Sequence, residues 1–177
     1  MNDGRVRVWR LRGERYRDDL VQRTLQGGKD SVHVWGAIWH DGRSCLQILH
    51  QNVNGEIYCQ VMRQFLDANQ FPQGRWKLQQ DNAPAHRSVV VQGFLHENNV
   101  DVMAWPSRSP DLNPIENVWD FIGRRCQARN PQNLRHLADL LVAEWNGMSQ
   151  EFINNLISSI PRRIRDVIEV NGGSTRY

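Results

Sequence analysis

Alternation of hydrophobic and polar residues with a period of two predicts strands in the first part of the chain. Arg5–Arg10 alternates in this way and predicts one strand. Two further apolar segments, Ser31–Trp39 and Ser44–Leu49, flank the Asp41-Gly42 pair, which is typical of tight turns between strands. We therefore predict one strand, then a polar loop, then a β-hairpin.

Helical spacing of apolar residues dominates the rest of the chain. Two short strands, 76–81 and 100–104, interrupt it. The order of elements predicts one α/β domain with a mixed sheet flanked by helices and a helical C-terminal third. Within this single domain we assign 1–130 to the α/β core and 131–177 to C-terminal helices and tail. The predicted helical segments are about 54–68, 84–97, 114–129, 131–145 and 149–170, the last holding one or two helices.

Composition limits the class of protein without identifying it. Of the 177 residues, 40% are hydrophobic and 23% charged, which is typical of a globular domain. No apolar run approaches the ~20 residues that span a bilayer. Cys45, Cys59 and Cys126 are scattered without CxxC spacing and leave one cysteine unpaired. From this pattern we expect a reduced intracellular compartment and no structural zinc site.

The net charge of +3 is concentrated at the start of the chain, where residues 1–23 hold seven arginines and four acidic residues. The chain has 20 arginines and two lysines, and the planar fork of Arg suits contacts to phosphate. A GC-rich gene explains this arginine content equally well, so charge indicates nucleic acid without deciding it. The candidate nucleic-acid-binding residues are Arg5, Arg7, Arg10 and Arg12.

Two acidic residues stand where α/β sheets collect catalytic groups. Asp81 ends a predicted strand, and Glu116 lies in the first turn of a helix that Asn113-Pro114 opens. Their carboxylates could meet at one end of the sheet and hold divalent cations such as Mg²⁺. Ordinary structural roles fit as well, because Asn113 to Glu116 matches a capping box and Asp81-Asn82 is a common turn pair. On residue type and spacing, both interpretations stay open.

Two sequence strings favour the catalytic interpretation. Ser109–Trp119 (SPDLNPIENVW) resembles the signature around the third acidic residue of the Tc/mariner transposase superfamily, and Gln80–His86 (QDNAPAH) resembles the signature around the second. The 34 residues between Asp81 and Glu116 match the spacing of the Tc-type branch, whose third acidic residue is Glu. Three further segments resemble family segments and occur in the same order: Asp3–Tyr16, Ser31–Gly36 and Pro161–Tyr177. The resemblance therefore covers nearly the whole chain.

This resemblance implies a ribonuclease-H-like fold and cut-and-paste DNA transposition, as in a transposable element. It implies that Asp81 and Glu116 are the second and third acidic ligands of two Mg²⁺ or Mn²⁺ ions, which activate the nucleophile and stabilise the leaving oxygen. The implied nucleic-acid partners are transposon ends and target DNA. The implied protein partner is a second copy of the chain or a full-length transposase, and the implied location is the nucleus. His86 matches the same string, and both a place near the site and a place on a helix surface stay open.

The chain departs from the family pattern at its N-terminus. The family's first catalytic Asp precedes a turn that corresponds to Asp3-Gly4, where this chain begins, and the family's helix-turn-helix region is not matched. We therefore expect the first strand to be missing and the chain to be inactive alone. One alternative is a domesticated non-catalytic module that binds DNA or a transposase. Another is a pseudogene product without a stable fold, since a lost central strand opens the sheet.

Overall fold

The computed structural model describes residues 31–68, 75–106 and 109–171. The predicted strand 5–10, the Asp3-Gly4 turn and the four candidate DNA-binding arginines lie outside these residues. In the described part, the strands are β1 (His33–Trp35), β2 (Ile38–Trp39), β3 (Gly42–Arg43) and β4 (Gln47–Leu49). The helices are α1 (Gly55–Asp67), α2 (Val89–Glu97), α3 (Pro114–Ala128), α4 (Leu134–Gly147), α5 (Gln150–Ser158) and α6 (Ile160–Glu169).

The predicted hairpin forms, and it turns at Asp41, whose φ of 67° lies in the left-handed region. It consists of two short antiparallel ladders, β1 with β4 and β2 with β3. Between them, the Ala37 N–H donates to the hydroxyl of Ser44 and the Ser44 N–H donates to the Ala37 carbonyl, each at 2.9 Å. Because a side-chain oxygen replaces a main-chain acceptor here, each long strand of the prediction is divided in two.

The two short strands predicted after the hairpin are reduced to a single parallel bridge between Leu78 and Val102. The Leu78 N–H donates to the Asp101 carbonyl, and the Leu78 carbonyl accepts from the Met103 N–H, each at 2.8 Å. A ladder grows only against a partner, and neither segment pairs with the hairpin among the described residues. The sheet in this part of the chain is therefore smaller than the predicted mixed sheet.

Most helices begin where a side chain caps the first turn, and the capping residue determines whether the predicted start of a helix is correct. α1 begins after Asn54, as predicted, but α2 begins after Ser88 rather than at Pro84, and α4 begins after Asn133 rather than at Pro131. The three cap oxygens accept backbone N–H groups at 2.9, 3.4 and 2.8 Å. A bonded cap thus outweighs an earlier proline as a helix start.

The C-terminal third is helical, as predicted, and the segment 149–170 divides into α5 and α6 at Ser159. Arg43 of β3 reaches the C-terminal end of α4, where its guanidinium donates to the carbonyls of Asn146 and Met148. No helix in the part of the chain that the structure describes combines the length and apolar character needed to cross a bilayer.

The hairpin forms a middle layer between two groups of helices. Trp35 and Trp39 pack on the core of α1 and α2, whereas Ile38 and Leu46 pack on the core of α3, α4 and α5. Successive side chains of a strand point to opposite faces, which explains the division. The first core comprises Tyr58, Cys59, Met62, Phe65, Val91, Phe94, Leu95 and Val100. The second comprises Val118, Ile122, Cys126, Leu140, Trp145, Met148 and Ile153.

Candidate active site

Asp81 and Glu116 line one cleft of about 300 Å³, although 34 residues separate them in sequence. The parallel bridge at Leu78 and Val102 explains how they meet. Because the bridge is parallel, the segments that follow Leu78 and Val102 leave it in the same direction. The first segment carries Asp81, and the second leads into α3, whose first turn carries Glu116. The end of a parallel pair is where α/β folds commonly place ligands.

The carboxylate of Asp81 is held on one side. Its Oδ1 accepts the Ala83 N–H at 3.0 Å and lies 2.7 Å from Nδ1 of His86. The bond to Ala83 is the turn interaction that the sequence predicted as an ordinary role. The turn and the cleft use the same side chain, so the structural interpretation of Asp81 does not exclude the functional one.

His86 lies beside Asp81, which answers the question that the sequence left open. Its side chain is 19% exposed, and its ring contacts the ring of Tyr58 with 4.3 Å between centroids. The Tyr58 hydroxyl donates to Oε1 of Gln80 at 2.6 Å. Burial raises the pKa of Tyr58, and the nearby charge of Asp81 raises it further, so the phenol stays neutral.

The capping box that Asn113 to Glu116 matches in sequence does not form at the start of α3. The Asn113 side chain caps no backbone N–H, and the Asn113 N–H donates to the Pro110 carbonyl at 3.0 Å instead of to Glu116. A short 3₁₀ turn, Pro110–Leu112, provides that acceptor. The Glu116 N–H donates to the Asn113 carbonyl at 3.2 Å, and the Asn113 side-chain amide donates to Glu116 Oε1 at 3.4 Å. Glu116 is therefore not needed to start its helix, and its carboxylate faces the cleft.

Burial raises the pKa of the Glu116 carboxyl, and the negative charge of Asp81 raises it further. The two carboxylates thus repel each other across the cleft, and a divalent cation between them would relieve the repulsion. Carboxylate oxygens are also the ligands that Mg²⁺ prefers. The donor set fits a hard cation, but no three His, Cys, Asp or Glu side chains in the described ranges form a metal-binding group.

Two arginines that the sequence analysis did not select contribute to this region. Arg87 lines the cleft directly after the QDNAPAH string, and its exposed guanidinium makes no ion pair with a described residue. Arg163 of α6 is 3% exposed and donates to the Asp111 carbonyl at 2.9 Å, just before the helix that carries Glu116. Two sequence signals could have pointed to them, since Arg87 follows the QDNAPAH string and Arg163 lies in the family-like segment Pro161–Tyr177.

Comparison with known proteins gives consistent matches. A family model described as DDE superfamily endonuclease matches residues 2–138. The Tcb1 transposase of Caenorhabditis briggsae is 33% identical over 180 residues, and the Tc1 transposase of Caenorhabditis elegans is 34% identical over 181 residues. Each alignment covers 99% of this chain and 65% of the relative, so the chain spans about two thirds of the length of these relatives.

Solved structures give the fold. The Mos1 transposase catalytic domain, solved with raltegravir and Mg, superposes with a TM-score of 0.72 at 21% identity, covering 81% of this chain and 77% of that one. A Mos1 mariner paired end complex with Mn has a TM-score of 0.73 at 19% identity, covering 99% of this chain and 51% of that one. These matches confirm the predicted α/β, ribonuclease-H-like fold class.

Proposed function

The chain belongs to the DDE superfamily endonucleases, on their Tc/mariner transposase branch, and we propose that its cleft binds divalent metal for DNA cleavage and strand transfer. The observation that carries the proposal is the meeting of Asp81 and Glu116. Each lies in a string that resembles a family signature, and both line one cleft despite their separation in sequence.

Four residues of the cleft have distinct parts in this proposal. Asp81 and Glu116 are the cation ligands, and Asn113 restrains Glu116 through its side-chain amide. Arg87 offers a planar set of donors to a DNA phosphate that enters the cleft. Bound Mg²⁺ or Mn²⁺ supplies charge stabilisation for the attacking and leaving oxygens of the phosphodiester. Neither carboxylate then has to act as a general base.

We also propose that the 177-residue chain does not cleave DNA alone. A two-ion site needs several carboxylates at fixed positions, and the described residues bring two to the cleft. By resemblance to the family, Asp3 corresponds to the turn that follows the first catalytic Asp, so we propose that residues 1–30 do not supply the further carboxylate. Groups that act as a unit lose nearly all activity when one member is lost, so little partial cleavage is expected.

DNA is the proposed partner, and the nucleus is the proposed location. Arg5, Arg7, Arg10 and Arg12 supply phosphate contacts in this proposal, which gives binding that is salt-sensitive and independent of sequence. A second copy of the chain or a full-length transposase is the proposed protein partner. Support comes from the Mos1 transposase, whose solved structures include a paired end complex and a strand transfer complex.

The test combines DNA binding with DNA cleavage, using Asp81→Ala/Glu116→Ala as the matched variant. Binding of a fluorescent duplex should tighten with Mg²⁺ in the unmodified chain but not in the double variant. Supercoiled plasmid with Mg²⁺ or Mn²⁺ should show no nicking above the double variant. Nicking that the double substitution abolishes would contradict the proposed inactivity, and an identical Mg²⁺ response in both proteins would contradict the cation site.

A second function stays in consideration because the described residues form no three-ligand metal group. A non-catalytic module that binds DNA needs no cation. It would bind duplexes equally with and without Mg²⁺, and it would keep that affinity after the double substitution. The binding arm of the same experiment therefore separates the two functions.

A further inference from the structure

We propose that His86 is a positioning residue that fixes Oδ1 of Asp81 and so selects Oδ2 as the oxygen presented to the cation. This inference rests on the proposed function, because it takes Asp81 as a cation ligand. It adds a residue and a geometric role that the family match does not assign. The argument depends on which atoms hold the carboxylate and on what holds His86.

The two donors to Asp81 converge on the same oxygen. Nδ1 of His86 lies 2.7 Å from Oδ1, and the Ala83 N–H donates to Oδ1 at 3.0 Å. No donor from the described residues reaches Oδ2. The side chain is 59% exposed, so packing alone does not fix its rotation. The pair of bonds to Oδ1 sets that rotation and leaves the lone pairs of Oδ2 for a ligand.

His86 is itself anchored to the core between α1 and α2. Its ring rests on Tyr58, which is 2% exposed and donates to Gln80. Its backbone carbonyl accepts from Nε2 of Gln92 at 2.8 Å. The imidazole therefore rests on a core ring, and the main chain that carries it is bonded to Gln92. A rigid partner of this kind is what orients a metal-binding carboxylate.

The pair formed by His40 and Asp41 shows that a short His–Asp contact is not sufficient. Their Nδ1 and Oδ2 atoms lie 2.6 Å apart, but the side chains are 60% and 72% exposed, and the two residues are neighbours in sequence. His86, by contrast, has a core residue behind its ring. His40 is therefore the matched control for His86.

Two roles for His86 predict opposite effects on metal affinity. If the imidazole orients Asp81, its removal weakens cation binding, typically by about 10- to 100-fold for partners of metal ligands. If the imidazole instead competes with the cation for Asp81, its removal tightens binding. The direction of the change thus separates the proposal from its strongest rival.

The experiment is a Mn²⁺ titration of the 177-residue chain, followed by paramagnetic broadening of the Asn82 and Ala83 amide signals in NMR spectra. His86→Ala should weaken the Mn²⁺ affinity at this turn by about 10-fold. His86→Asn keeps a donor near the Nδ1 position and should recover most of the loss, and it carries the test if the alanine variant fails to fold. His40→Ala should leave the affinity unchanged.

An unchanged or tighter Mn²⁺ affinity in His86→Ala would overturn the inference while leaving the metal site intact. Equal weakening by His40→Ala would overturn it as well, because the effect would then not depend on contact with Asp81. Absence of broadening at Asn82 and Ala83 in the unmodified chain would contradict the proposed metal site itself, and the role of His86 would fall with it.

Discussion

Gly36→Ala should destabilise the protein, because at Gly36 the hairpin backbone packs against the Trp145 side chain of α4. An added Cβ would lie 2.6 Å from Cη2 and 2.9 Å from Cζ2 of Trp145. Trp145 cannot move aside easily. Its side chain is fully buried, its Nε1 donates to the Ser44 carbonyl at 2.8 Å, and its ring stacks on Trp119 at 5.3 Å between centroids.

The expected loss of unfolding free energy follows from the crowding. Inserting a methyl group into a packed core costs about 1–3 kcal/mol, and contacts below 3.0 Å place this site toward the upper end. A displaced Trp145 would also weaken its bond to Ser44, which adds about 1 kcal/mol. Alanine restricts the unfolded chain more than glycine does, which offsets about 0.4–1 kcal/mol of this loss. We expect a net destabilisation of about 3 kcal/mol.

Gly93→Ala is the matched control. Gly93 lies within α2, and nothing stands within 4 Å of an added Cβ. The same substitution should there raise stability by about 0.5–1 kcal/mol, since alanine favours a helix interior over glycine. Urea unfolding followed by tryptophan fluorescence gives both midpoints at constant slope. A Gly36→Ala variant as stable as the unmodified chain would refute the placement of the hairpin against α4.

Three further predictions concern the cleft, its support and the arginine-rich segment. Burial and the Asp81 charge raise the pKa of Glu116 above its ordinary value of 4.5. At a pH above 4.5, ionisation of Glu116 therefore lowers the free energy of unfolding. Glu116→Gln should therefore raise the urea midpoint at pH 7, and the gain should disappear as the pH falls below 4.5; a gain that persists in acid would contradict this. Arg163→Ala should lower stability by about 1.5–3 kcal/mol, because it removes a buried charged donor to the Asp111 carbonyl. Arg165 is exposed, so Arg165→Ala should change stability by less than about 0.5 kcal/mol. Equal effects of the two substitutions in thermal melts would exclude a stabilising role for the bond from Arg163 to Asp111. Fluorescence anisotropy should show similar weakening on unrelated duplexes, and a smaller salt dependence, when serine replaces Arg5, Arg7, Arg10 and Arg12.

Local signals were enough to predict several elements of the fold. Asp41-Gly42 located the hairpin, Asn54 located the start of α1, and Pro114 located the start of α3. Each signal acts within a few residues of itself, which is why the sequence pattern was sufficient. The family-like strings then selected Asp81 and Glu116, and the structure places both at one cleft.

Features that depend on distant contacts could not be predicted. The split in the hairpin depends on the Ser44 hydroxyl, which bonds across the strands to Ala37. His86 meets Asp81 because α1 brings Tyr58 behind it. Arg163 reaches the Asp111 carbonyl from 52 residues further along the chain. Periodicity reports which face of an element is apolar, but it does not report which polar groups meet after packing.

Anomalous diffraction from Mn²⁺-soaked crystals of the 177-residue chain tests the central claim most directly, namely that Asp81 and Glu116 jointly hold a divalent cation. The account predicts an anomalous peak in the cleft within about 2.0–2.6 Å of one oxygen from each carboxylate. Crystals of the Asp81→Ala/Glu116→Ala variant, soaked in parallel, should lack this peak. A peak bound by only one of the two carboxylates, or a cleft without a peak, would contradict the account.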